Sequence, residues 1–366
     1  MLKRSFGVAA VTAAAALLLA ACSSGSDTAA SEDTAAGAAS GLACVILPDS
    51  ASSPRWENGD RPALKEALEA AGFTTDIQNA EGDTAKMLTI GDQMLASGCN
   101  VMIITDYQGA GAQVATKAKA QGVPTIAYDR PIEGVDYYVS FDNVTVGTLQ
   151  GEGILKCLAD AGKDPKTAEL IFLDGDPTDG NAAMFAEGYD TALKAAGVEV
   201  DKAKLGAKRP DGTWDGAKAG TNFEQALTAN GGKVDAVVSA NDTNAASAIA
   251  ILDKNKLTVP VSGQDASKDG LNNVLSGKQC MTVFKDYLVE ASTAADLAIA
   301  ILKGETPTTN KQLADGTPFQ AADPQALYAD AASLDGFKQA LDRSGLTAAD
   351  VCTGDAAAKC TEIGLS

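Results

Sequence analysis

Residues 101–130, VMIITDYQGAGAQVATKAKAQGVPTIAYDR, hold the logic of the fold in one unit. VMIIT (101–105) and PTIAY (124–128) are uninterrupted apolar runs. A strand with one wet face alternates apolar and polar residues, whereas a strand covered on both faces does not. Between the runs, 110–121 sets Ala and Val against Lys and Gln at helical intervals, the pattern of a helix packed on a sheet. Strand, helix and strand in that order make neighbouring parallel strands. The unit ends on Asp129-Arg130, two charged groups just past a buried strand.

The same alternation fills 43–300. ACVIL (43–47), AELIFL (168–173), DAVVSA (235–240) and VPVSG (259–263) read as further strands, with helices over 62–72, 84–97, 182–196 and 243–255. It restarts at 168, after the segment YYVSFDN (137–143) and a helix over 144–161. The class is α/β, with two similar doubly wound parallel-sheet lobes. In open sheets of this kind ligands bind beyond the C-terminal strand ends.

Ahead of the lobes, Lys3 and Arg4 precede an uncharged apolar stretch that closes on Leu19-Ala20-Ala21-Cys22. A basic start, a short apolar middle and small residues before a cut site describe a secretory signal peptide over 1–21. The run is shorter than the ~20 residues a membrane span requires. A cysteine directly after Leu-Ala-Ala resembles a bacterial lipoprotein signal, with Cys22 acylated as the new N-terminus. Residues 23–40, SSGSDTAASEDTAAGAAS, have almost nothing to bury, so 22–41 reads as a disordered tether. These features place the protein on the outer face of the cytoplasmic membrane, held there by a lipid anchor.

Removing 21 of 366 residues leaves 345, enough for two domains. Without Lys3 and Arg4, 27 basic residues face 48 acidic ones, a net charge of −21. Such a surface repels nucleic acid and anionic membranes. The chain has no histidine, which excludes Ser-His and Cys-His nucleophiles and His-ligated metals. No phosphate loop is present, and DGDPTDGNA (174–182) lacks the spacing and closing Glu of a calcium loop. No metal and no cofactor is expected. Six cysteines remain beyond Cys22, none in a CxxC pair. Cys44 and Cys99 each open an apolar run and would be adjacent if those strands are neighbours. Cys352 and Cys360 are close in sequence, and Cys157 and Cys280 are left over. Outside the membrane an even count favours disulfides, and free buried thiols are the alternative.

The chemistry concentrates after the strands. Arg55 and Trp56 follow the first, Asp129 and Arg130 the run 124–128, and Asp142-Asn143 the segment 137–141. Asp176 through Asn181 follow AELIFL, Asn241-Asp242 follow DAVVSA, Gln264-Asp265 follow VPVSG, Lys285 follows MTVF, and Trp214 lies in the loop DGTWDG. Planar Asp, Asn and Arg groups each engage two adjacent hydroxyls, and aromatic faces stack on the C–H side of a pyranose. Any one Asp or Asn here could simply cap the next helix. The recurrence at the same end of successive strands points to a small polyol instead.

PRW, AYDRP, YYVSFDN, DGDPTDGNA, ALTANGGKVDAVVSANDTNA, SGQDA and MTVFKD, in this order from about Val45 to Glu305, resemble the type I periplasmic sugar-binding proteins of ABC transporters, their xylose-binding branch above all. The resemblance implies two lobes joined by a three-crossing hinge. They would close on one monosaccharide, xylose or another aldose, and deliver it as a monomer to an ABC permease. It implies lobes of 42–144 with 283–308 and of 145–282 with 309–366. Carried over motif by motif, the ligand-facing residues are Arg55, Trp56, Asp129, Arg130, Asn181, Asn241, Asp242, Asp265 and Lys285. Trp214 is added from 208–216, where the match is loose. The first loop departs from the family pattern, with Asp49-Ser50-Ala51-Ser52-Ser53 and no lysine before Arg55.

A glycosidase is the enzymatic rival, since two carboxylates can cleave a sugar. Asp129, Asp242 and Asp265 each carry a nearby Arg, Asn or Lys that favours permanent ionisation and leaves no proton donor, so no enzyme is expected. Binding of another small ligand, or presentation of bound sugar to a signalling receptor, are the other readings.

Overall fold

The computed structural model describes residues 41–53 and 55–365. The proposed signal, Cys22 and all of the tether except Gly41 lie outside them. The strands are β1 (Leu42–Leu47), β2 (Thr74–Asn79), β3 (Val101–Ile104), β4 (Thr125–Tyr128), β5 (Tyr137–Phe141), β6 (Leu170–Leu173), β7 (Ala236–Ser239), β8 (Met281–Phe284), β9 (Lys311–Gln312), β10 (Pro318–Ala322) and β11 (Gln325–Tyr328).

The first lobe is a seven-stranded sheet ordered β2-β1-β3-β4-β5-β10-β9, parallel except for β9. β1 shows why its sequence is apolar throughout. Cys44 and Ile46 face the helices Thr84–Ala96 and Ala110–Ala120, whereas Ala43, Val45 and Leu47 face Arg61–Ala70 and Tyr287–Leu302. Both faces are dry, so no position can be polar. In the second lobe, Leu170 and Phe172 of β6 pack on helices Asn143–Asp160 and Gly180–Ala195. Ile171 and Leu173 pack on Gly216–Ala229 and Asp242–Lys254. β6 pairs with β7, and β8 with β11; single bridges at Val261 and Gln264 link the two pairs. The predicted strand 259–263 is therefore an extended connector between the two pairs rather than a full strand.

The chain passes between lobes three times, at Asp142, at Lys285-Asp286 and at residues 323–324. The first and third passages are tied by Asp142 N–H donating to Ala322 O at 3.0 Å. One expectation is corrected here. Residues 309–322 do not belong with the second lobe: β10 pairs in parallel with β5, Phe319 opposite Tyr138, and the two rings stack 4.5 Å apart. The alternating burial of β10, with polar Gln320 between Phe319 and Ala321, hides it from a search for continuous apolar runs. Residues 325–365 do pack on the second lobe, burying Phe337, Leu341, Cys360 and Ile363 with Leu271 and Phe284. The structure joins Cys44 to Cys99, Cys157 to Cys280 and Cys352 to Cys360, with Cα separations of 6.0, 6.3 and 5.9 Å. Among the described residues no helix is long and apolar enough to cross a membrane.

Candidate functional site

Residues at the C-terminal strand ends of both lobes line a cavity. From the first lobe come Ser52, Ser53, Arg55, Trp56, Asp129 and Arg130. From the second come Asp179, Asn181, Phe185, Trp214, Asn241, Gln264 and Asp265, with Lys285 at a crossing. The predicted residues Arg55, Trp56, Asp129, Arg130, Asn181, Trp214, Asn241, Asp265 and Lys285 are thus brought together. Asp242 is not.

Local backbone aims the carboxylates. Asp129 follows β4 at φ +61°, and Asp265 follows the connector at φ +99°. Both lie in left-handed space, which costs about 1–3 kcal/mol at a non-glycine residue and persists where surrounding structure enforces it. Ser140 Oγ and Tyr138 O–H donate to Asp129 O at 2.9 and 2.8 Å and hold that turn. Burial would raise the Asp129 carboxyl, but Arg55, Lys285 and Arg130 overcome it and hold it below the usual range. Asp265 lies 3.5 Å from Lys285 Nζ, a nearly buried ammonium that also faces the rings of Phe141 and Phe185 at 5.7 Å.

The aromatic walls are fixed by polar handles. Trp56 donates its ring N–H to Ser52 Oγ at 3.1 Å, and Arg55 lies over its face at 4.5 Å. Trp214 donates to Asp179 Oδ2 at 3.1 Å and meets Phe185 edge-on at 6.4 Å. Gly175 makes room for this indole, because a Cβ there would sit 2.1 Å from Trp214.

Asn181 joins the lobes. Its Nδ2 donates to Asp129 O at 2.9 Å and Oδ1 at 3.2 Å, and its Oδ1 accepts from Asn143 Nδ2 at 2.9 Å. Asp179 caps the same helix through Asn181 N–H and pairs with Arg130 Nε at 3.3 Å. Asn241 both caps and lines: its Oδ1 takes Asn244 N–H at 2.9 Å, while its amide nitrogen donates to no protein group among the described residues.

Asp242 is corrected to a framework residue. It is buried, accepting from Gln279 and Thr282 at 2.8 Å and from Ser267 N–H at 2.9 Å. Gly263 and Gly270 crowd it so closely that a Cβ at either would lie within 2.3 Å of its oxygens. The expectation that it is permanently ionised also fails: burial and neighbouring Asp265 push its carboxyl up to about 7.

The sequence reading missed Ser52, Ser53 and Phe185 as lining residues, and it noted Asp179 and Gln264 after their strands without placing them in the ligand-facing set. Gln264 adjoins Asp265, is buried, and its Oε1 has no hydrogen-bond partner. It also missed Asp60, Tyr128 and Glu290 behind Arg55. Glu290 had a readable signal, as an acid in YLVEASTAADLAIAIL, an otherwise apolar helical face.

The sequence pattern of the periplasmic binding protein domain matches residues 44–306. The chain belongs to the periplasmic binding protein family. It is 34% identical to the D-xylose-binding periplasmic protein of Escherichia coli strain K12 over 268 residues, 72% of this chain and 78% of that one. It is 33% identical to the multiple sugar-binding periplasmic receptor ChvE of Rhizobium radiobacter, covering 74% and 80%. A solute-binding protein of a Clostridium phytofermentans ABC transporter, solved with β-D-glucose bound, superposes with a TM-score of 0.72 at 29% identity, covering 85% and 99%. This periplasmic binding protein has the type I fold expected from its sequence, and its relatives are binding proteins rather than enzymes.

Proposed function

We propose that this periplasmic binding protein takes one aldopyranose, xylose first and glucose second, into the cavity between its lobes and presents it to an ABC permease as a Cys22-anchored, monomeric lipoprotein. The carrying observation is one cavity lined from both lobes by planar charged groups and aromatic rings. Asp129, Arg130, Asn241, Asp265 and Lys285 pair with ring hydroxyls, and Trp56, Phe185 and Trp214 cover the C–H faces. The names of the xylose- and multiple-sugar-binding relatives support the ligand class, and the solved glucose complex of the Clostridium phytofermentans protein supports glucose as the second candidate. Because the walls belong to different lobes, a sugar held by both favours the closed arrangement, which the permease then recognises.

The test is a thermal-shift panel of aldopentoses and aldohexoses, followed by calorimetry. A true ligand at 100 times its Kd stabilises the folded state by about 2.7 kcal/mol. No shift with any aldose overturns the reading, and release of reducing sugar from glycosides would favour the glycosidase. Cys22→Ser should move the protein from the membrane to the soluble fraction; retention would remove the lipid anchor.

A further inference from the structure

Behind the cavity wall, Arg55 is surrounded by more carboxylates than one guanidinium neutralises. Its Nε and one Nη grip Asp60 at 2.9 and 2.7 Å. The same Nη reaches Glu290 Oε2 at 2.5 Å, and the other reaches Asp129 Oδ2 at 3.1 Å. That leaves one guanidinium hydrogen for the cavity. The side chains of Asp60 and Glu290 are wholly buried. Glu290 Oε1 has no partner. Facing Glu290 are Arg55 and Asp60 from the turn after β1, Tyr128 and Asp129 from β4 and the residue after it, Tyr138 from β5, and Lys285 at the crossing. Burial lifts both phenols far above their usual range, so neither ionises near neutral pH. A third ionised carboxylate on Arg55, with one oxygen unsatisfied, is strongly unfavourable away from water. Burial first, then Asp129 and Asp60, push the Glu290 carboxyl up to about 8 against the pull of Arg55 and Lys285.

We propose that Glu290 is a positioning residue that acts as a neutral acid: it leaves Arg55 extended to Asp129 and the cavity, and its ionisation withdraws the guanidinium, so one proton behind the site gates sugar affinity. This rests on the cavity being the sugar site.

Affinity for the aldose found in the panel is measured by calorimetry from pH 6 to 9.5 for wild type, Glu290→Gln and Glu290→Ala. The protonated fraction falls from about one half at pH 8 to about one eleventh at pH 9, so wild-type affinity should drop about fivefold over that interval and approach tenfold per unit above it. Glu290→Gln, an isostere of the neutral acid, should keep the low-pH affinity and flatten the profile. Glu290→Ala, which has no charge to withdraw Arg55 and leaves it its bonds to Asp60 and Asp129, should likewise lose the alkaline fall in affinity. An identical profile in wild type and Glu290→Gln overturns the proposal. Infrared spectra without sugar supply the independent readout. A protonated-carboxyl band at pH 7 should be lost in Glu290→Gln, while any Asp242 band stays in both; an unchanged spectrum also overturns the proposal. If no aldose binds wild type, the assigned function fails, and the infrared difference still decides whether Glu290 holds its proton.

Discussion

Arg130 and Asp265 lie on opposite walls of the cavity, and each has framework partners that survive the loss of the other. Arg130 donates to Asp106 O at 2.9 Å, and Asp265 faces Lys285. In the proposed sugar site, replacing either by Ala would remove a hydroxyl partner and leave the sugar and a buried ion unpaired, at about 1–3 kcal/mol. Arg130→Ala and Asp265→Ala should each weaken sugar binding about tenfold or more with unchanged circular dichroism; undiminished affinity in both would remove them from the site. Asp242 is different in kind. Its carboxyl titrates near 7 in the folded protein, above its ordinary value of 3.8. The folded state therefore holds the proton more tightly than the unfolded state. Stability from this group is complete below about pH 4 and is lost as pH rises through 7, at up to roughly 1.4 kcal/mol per unit. Asp242→Asn should flatten the fall in Tm between pH 5 and 8, and an unchanged slope would show that Asp242 is ionised throughout. The motif ANDTN makes Asn241 and Asp242 look alike. Only the helix start distinguishes them, since Asn241 precedes the helix beside the cavity and Asp242 is turned into Gln279, Thr282 and Ser267. A sequence shows which residues follow a strand but not which way the first turn of the next helix rotates them.

Elements were readable where burial on both faces forbids polar residues, as in VMII of β3 and LIFL of β6. They were not readable at sheet edges. β2, TTDIQN, is largely half-exposed and carries polar side chains because only one neighbour and part of one face cover it. Helix contacts depend on a subtler signal. The helices Asn143–Asp160 and Gly180–Ala195 meet through glycine: a Cβ on Gly147 would lie 2.0 Å from Phe185 O, and one on Gly188 would lie 2.2 Å from Val144 O. Main chain cannot yield as a flexible side chain can, so Gly147→Ala must push the helices apart, at about 1–3 kcal/mol or more. Because the displaced helix carries Asn181 and Phe185 into the cavity, this substitution should lower Tm and weaken sugar binding together. A lower Tm with wild-type affinity would mean that the packing and the site are uncoupled.

Across the whole molecule, the two lobes are linked by three passages and by direct bonds spanning the cleft. Asn181 donates to Asp129, and Arg130 pairs with Asp179 at 3.3 Å. Such bonds lower the free energy of the closed arrangement whether or not a sugar adds to it, so they set part of the closure equilibrium. A ligand that binds only the closed form then has an apparent Kd divided by the closed fraction. Asp179→Asn separates these contributions, because Asn is an equally good helix cap but gives up the charge that faces Arg130. Sugar-free Asp179→Asn should show a larger radius of gyration by X-ray scattering than wild type and a Kd raised about fivefold. Saturating sugar should return it to the wild-type radius, since ligand bridging both walls restores closure. An unchanged radius together with an unchanged Kd would mean that the lobes are held by the Asn181 network and the passages alone, with the Arg130–Asp179 pair contributing nothing to closure.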